Sequence, residues 1–220
     1  MKMTMTAAKL AAGCALLSSS SAFAQEDVVN APAPALHENA LGHREVATFA
    51  GGCFWGVQGV FDHVKGVLTT TAGYTGGAAD TARYGDVSTG TTGHAEAVRV
   101  TFDPAEIDYA DLLRIYFSII TDPTEINRQG PDKGTQYRTA LFPNYPAQAK
   151  VARAYITQLS AAHVYPQPIV TKLEAQQTFF PAEAFHQNFM AKNPHYPYIV
   201  VNDQSKVDPL KAMFRADWKA

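Results

Sequence analysis

Cysteine is scarce in this chain: Cys14 and Cys53 are the two in 220 residues. Cys53 sits in the run Gly51-Gly52-Cys53-Phe54-Trp55-Gly56. The apolar stretch Val46 to Ala50 precedes it, and Val57, Val60, Phe61 and Val64 follow at helical spacing. A strand turning into a helix would put the thiol in the first helical turn. Unsatisfied N–H groups and the positive end of the helix dipole favour an anion there, and the thiolate is the nucleophilic form of cysteine. Phe54 and Trp55 can wall an apolar pocket beside the sulfur. Gly51 and Gly52 permit a tight turn and close approach of another molecule to the backbone. The same local sequence also suits an inert cysteine buried as a small hydrophobe.

The elements that would position this thiol can be read along the chain. Glu45 to Phe49 predicts a strand and Cys53 to Val64 a helix. Gly66 to Tyr74 and the alternating Ala95 to Phe102 predict two further strands. Tyr109 to Ile120 predicts a helix with Asp108 as its N-cap. Thr139 to Phe142 predicts a short strand, Tyr145-Pro146 to His163 a long helix with Pro146 in its first turn, and Ile169 to Leu173 a strand. Phe179 to Met190 and Asp208 to Phe214 are expected to be helical. Paired strands mixed with crossover helices imply an α+β fold, a two-layer sandwich. Its core should be a ferredoxin-like split βαβ unit with a C-terminal extension. Two long polar loops, Ala78 to Gly93 and Thr121 to Arg138, have the length and composition of functional loops.

Four motifs then fall in order: Gly52-Cys53-Phe54-Trp55-Gly56, Gly73-Tyr74-Thr75-Gly76-Gly77, Gly93-His94-Ala95-Glu96-Ala97-Val98, and Asn127 through Arg138. Together with Pro197-Tyr198-Ile199-Val200, they make residues 45–216 resemble peptide methionine sulfoxide reductase of the A type. The resemblance implies reduction of the S-epimer of methionine sulfoxide, with Cys53 attacking the sulfoxide sulfur. It places the family's glutamate on Glu96, its two sulfoxide-binding tyrosines on Tyr84 and Tyr137, and its aspartate on Asp132; Phe54 and Trp55 would hold the substrate's methyl group. The chemistry is reasonable in its own right. A sulfoxide oxygen leaves poorly until protonated, and a general acid typically contributes about 10²–10⁴-fold. Burial could keep Glu96 protonated near neutrality, and phenols can stabilise the charge that develops on the oxygen.

Taken singly, these residues have plainer readings. Glu96 could face solvent from a half-exposed strand, the tyrosines could anchor loops, and Asp132 suits a turn. His94 beside Glu96 forms a His-x-Glu pair, but the Cys-x-x-Cys that zinc deaminases require is missing. No metal is expected, and His186 is retained as a supporting residue. Residues 190–220 contain no cysteine to resolve a sulfenic acid as a disulfide. The resemblance is therefore to the one-cysteine form. It implies no bound cofactor and regeneration by an external thiol, either a small thiol or a thioredoxin-like protein.

Lys2 and Lys9, the short apolar run Leu10 to Leu17, and Ser18 through Ala24 read as a secretory signal peptide over residues 1–24. The run is well short of the roughly 18–20 residues that span a bilayer. An exported, periplasmic location follows, with lipidation at Cys14 as the lesser reading. Cleavage after Ala24 would leave Cys53 as a lone thiol, which in an exported protein flags reactivity. Residues 25–43 read as a flexible tether and 44–220 as a single catalytic domain, expected to work as a monomer. With 18 basic and 20 acidic residues, the charge points to neither nucleic acid nor a membrane surface. Two other classes compete: a papain-like cysteine hydrolase using His186 and Asn188, and a non-catalytic binding module.

Overall fold

Alternation along one strand decides how the sheet is used. In the computed structural model, which describes residues 28–220, Ala95–Phe102 forms the central strand β3. Side chains alternate between faces, so Glu96, Val98, Val100 and Phe102 share one side and Ala95 and Ala97 the other. Val98, Val100 and Phe102 enter the main core with Phe49, Phe61, Tyr109 and Tyr116. Ala95 and Ala97 join a small second cluster with Ala50, Ala140, Phe142 and Phe179. The expected signal segment 1–24, with Cys14, lies outside the described residues.

β3 pairs antiparallel with β1 (Glu45–Gly51) on one side and with β2 (Val67–Thr75) on the other. β6 (Thr139–Leu141) extends the sheet beyond β1, and β7 (Lys172–Leu173) lies parallel to it. β8 (Phe179–Pro181) borders β2, giving the order β7-β6-β1-β3-β2-β8. β4 (Arg128–Gln129) and β5 (Asp132–Lys133) form a separate hairpin. The fold is thus mixed α/β around a central, mostly antiparallel sheet.

Helix α1 (Phe54–Asp62) follows β1 at once and packs on β2 and β3. A four-residue helix α2 (Tyr84–Val87) interrupts the first long loop. α3 (Tyr109–Ile115) starts at Asp108, whose Oδ1 accepts the Asp111 N–H at 2.9 Å, and a π-type turn over Tyr116–Ile120 continues it. α4 (Pro146–Ala161) packs beside α3. The C-terminal part carries α5 (Phe189–Lys192), a π-type turn over Ile199–Asp203 and α6 (Gln204–Met213), and all three touch α1.

Three expectations are corrected. The stretch Phe179 to Met190 is not one helix: its front pairs with β2 as β8, and α5 begins at Phe189. Short apolar runs do not separate strand from helix by period. The terminal helix begins at Gln204, four residues before the expected Asp208. The described part of the expected tether is fastened down. Ala31 is fully buried in the main core, its N–H meets Ser118 Oγ, and its carbonyl accepts Arg114 Nε–H at 2.9 Å. Tyr155 donates to Pro32 O, Gln158 bonds Ala33 and Ala35, and Glu38 Oε1 accepts the Tyr109 N–H. This segment is a strap over α3 and α4.

Candidate active site

The turn into α1 is built from an apposition inside the chain. Gly52 has φ 88°, a left-handed conformation that favours glycine. A Cβ at this position would lie 2.6 Å from Gln129 Cβ. Gln129 is held in place by four hydrogen bonds: Oε1 accepts from Thr121 Oγ1 and Asp122 N, and Nε2 donates to the carbonyls of Asp122 and Arg128. The close approach expected of another molecule is thus made here by Gln129.

Cys53 is the N-cap residue of α1 and is partly exposed. The acidity that the helix start favours is opposed by the surroundings of the thiol. Burial of its surroundings pushes the Cys53 thiol well above its ordinary range; the charges of Glu96, Asp203 and Asp132 add to this, and the Trp55 N–H opposes it. These causes favour the thiol over the thiolate at rest.

Glu96 does not face solvent. It is 2% exposed, and its Oε2 accepts the Phe54 N–H, one residue past Cys53, at 3.0 Å. Burial pushes its carboxyl up to about 8; the Phe54 N–H works against this, and Asp132 and Asp203 work with it. At neutrality Glu96 is mainly protonated, so it can donate a proton.

Tyr84 opens α2 with its N–H on Glu183 Oε1 at 2.9 Å; Glu183 Oε2 accepts the Tyr74 hydroxyl at 2.8 Å. Burial would raise Glu183, but the hydrogen bonds from Tyr84 and Tyr74 hold it below the carboxylate range. Tyr137 ends a short turn over Thr135–Tyr137. Burial raises both the Tyr84 and Tyr137 phenols, and both also feel Glu96, Asp132 and Cys53, so they stay protonated donors. Asp132 on β5 accepts the hydroxyl of Tyr198. The structure therefore gathers Cys53, Glu96, Tyr84, Tyr137 and Asp132 into one electrostatic neighbourhood.

The two aromatics after Cys53 differ. Phe54 is fully buried against Tyr74 and His186, so it offers the site its N–H rather than an open wall. Trp55 is half-buried. Its ring stacks on Phe189 at 3.8 Å, and Tyr196 and Tyr198 meet it edge-on. Its Nε1–H donates to His186 Nδ1 at 3.0 Å. An indole N–H can only donate, so His186 is neutral with its proton on Nε2. Burial, partly offset by Glu183, lowers its pKa in the same sense.

The family model for peptide methionine sulfoxide reductase matches residues 45–218. The chain belongs to the peptide methionine sulfoxide reductase family. The peptide methionine sulfoxide reductase MsrA 2 of Mesorhizobium japonicum is 55% identical over 82% of this chain and 93% of its own length. The MsrA of Thermus thermophilus is 46% identical over 78% and 96%. Among solved structures, reduced Mxr1 of Saccharomyces cerevisiae aligns with a TM-score of 0.63 at 30% identity, covering 74% of this chain and 92% of that one. Methionine sulfoxide reductase A of Corynebacterium diphtheriae aligns at 0.57 and 28%, covering 80% and 94%. The chain is an oxidoreductase of this family.

Two residues beside this cluster were not singled out as site candidates from the sequence. Tyr198 holds Asp132 and edges Trp55. Asp203 is 2% exposed and lies on the first turn of α1: a Cβ at Gly56 would sit 2.2 Å from its Oδ1. A glycine inside a helical pattern was the available signal for such an approach. His37, Asp108 and Asp111 bring potential metal-ligand atoms within 4.8 Å of one another, a grouping the spacing of the histidines did not suggest. It lies where the strap meets α3, and His37 Nδ1 is already 2.6 Å from Asp108 Oδ2.

Proposed function

We propose that the enzyme reduces the S-epimer of methionine sulfoxide, free or in proteins, by moving the sulfoxide oxygen onto Cys53. The observation that carries this reading is the buried, largely protonated Glu96 carboxyl bonded to the backbone one residue past the thiol. The phenols of Tyr84 and Tyr137 would hold the sulfoxide oxygen. Cys53 attacks the sulfoxide sulfur; as the oxygen then passes to the Cys53 sulfur and its bond to the substrate sulfur breaks, the oxygen takes the Glu96 proton and Glu96 takes the thiol proton. The cysteine sulfur is oxidised to sulfenic acid and the sulfoxide sulfur is reduced to a thioether.

The sequence holds no cysteine beyond Cys14 and Cys53. An external thiol would then attack the sulfenic acid, releasing water and leaving a mixed disulfide. A second thiol would free Cys53 and depart as a disulfide. A small thiol or a thioredoxin-like protein would serve. The signal-like residues 1–24 support action on exported proteins in the periplasm. We also read the core as a split βαβ unit, because β3 lies antiparallel between β1 and β2, with α1 as the crossover and β6 beyond β1.

The test is turnover of N-acetyl-methionine-S-sulfoxide with dithiothreitol. Cys53→Ser should abolish it while the fold stays intact by circular dichroism. Undiminished turnover by Cys53→Ser would remove Cys53 from the chemistry. Peptide hydrolysis without reductant would favour the hydrolase reading instead.

A further inference from the structure

Phe185 is 60% exposed, although burial is the usual fate of a phenylalanine. Its ring lies 4.0 Å from that of His186 and meets the Tyr84 ring edge-on at 6.4 Å. Tyr84 is itself 36% exposed, and Tyr196, which meets Trp55 edge-on, is 47% exposed. Exposed aromatic surface thus joins Phe185 to Tyr84, one of the residues gathered about Cys53, and Tyr196 is a further exposed ring against Trp55.

We infer that Phe185 and the adjoining open face of Tyr84 bind an apolar side chain next to the oxidised methionine of an extended polypeptide. The preferred substrates are therefore methionine sulfoxides flanked by apolar residues, as exposed by unfolded or damaged protein. This deepens the proposed reductase function and rests on it. The occupant follows from continuity with that site. Consecutive Cα atoms lie 3.8 Å apart, so a chain that delivers its sulfoxide to Cys53 carries the neighbouring side chains over the bordering surface. An exposed aromatic patch beside a reaction site gains stability when an apolar group covers it, and a rigid ring loses little entropy on contact. A small free sulfoxide has no side chain to reach Phe185.

The test compares kcat/KM for three S-sulfoxide substrates: N-acetyl-methionine sulfoxide amide and two otherwise identical pentapeptides, one with leucine and one with glycine on both sides of the sulfoxide. The leucine peptide is expected to be preferred about tenfold, an amount that covering a modest apolar contact supplies. Phe185→Ser should bring that ratio close to one while leaving the small amide unchanged, and Phe185→Leu should keep most of it. Equal rates on the two peptides in the parent enzyme would overturn the inference and leave the reductase reading standing. So would a Phe185→Ser loss shared equally by the small amide. No turnover of any of the three substrates by the parent enzyme would overturn both.

Discussion

The carboxyl of Glu96 accepts the backbone N–H of Phe54 at 3.0 Å, one residue after Cys53. This contact ties the middle of the sheet to the first turn of α1, so that acid and thiol are positioned by the same turn. Burial favours the protonated form of both groups at neutral pH. The site rests with its protons in place, and a thiol is a poorer target for stray oxidants than a thiolate.

Glu96→Gln should lower kcat/KM by about 10²–10⁴-fold, the range of a lost general acid. The carboxyl is raised to about 8, so the proton donor is present below that pH and lost above it. The parent enzyme should show an alkaline limb with a midpoint near 8, and Glu96→Gln should lack it. A pH–rate profile of kcat/KM for both proteins checks this; an identical limb in the variant would assign it to another group.

Alkylation of Cys53 by iodoacetamide should be slow at pH 7 and rise only in alkaline solution, because burial, the charge of Asp203 and, once it ionises, that of Glu96 hold the proton on sulfur. Asp203→Asn should move the rise to lower pH. Rapid alkylation of the parent enzyme at pH 6 to 7 would show that the helix start outweighs burial after all.

Much of this arrangement is legible in the sequence. The strand into α1, the strand carrying Glu96 and the N-cap at Asp108 all follow from local patterns. Side chains that meet across long separations do not: Trp55 and His186 are 131 residues apart, Asp132 and Tyr198 66. No period or spacing brings such pairs together. The protonation of the thiol is hidden for the same reason. The helix start is local, whereas Asp132 and Asp203 arrive from distant segments. The strap resembles a tether in sequence because it has few large apolar groups. It is held by backbone N–H and carbonyl groups, the Glu38 carboxyl and one small buried alanine, which composition does not reveal.

Tyr198→Phe removes the hydroxyl that Asp132 accepts and keeps the ring against Trp55. A hydrogen bond to a charged group is worth about 1.5–3 kcal/mol, less where water can replace it. We expect about 1 kcal/mol lost in urea unfolding and a rise in KM larger than the fall in kcat. A change in stability with KM unaltered would confine Tyr198 to the fold.

Ala31→Asp would put a carboxylate into the main core beneath the strap. It should destabilise the protein by about 2–4 kcal/mol, as burying an unpaired polar group does. Thermal unfolding checks this. An unchanged midpoint would mean that the strap adds nothing to the folded domain.

The most direct measurement is mass spectrometry of the enzyme after one equivalent of methionine S-sulfoxide with no thiol present. One methionine should form per protein, and the peptide carrying Cys53 should gain a single oxygen, trapped by a sulfenic-acid reagent such as dimedone. Methionine formed while Cys53 stays unmodified, or no methionine at all, would contradict oxygen transfer to that sulfur.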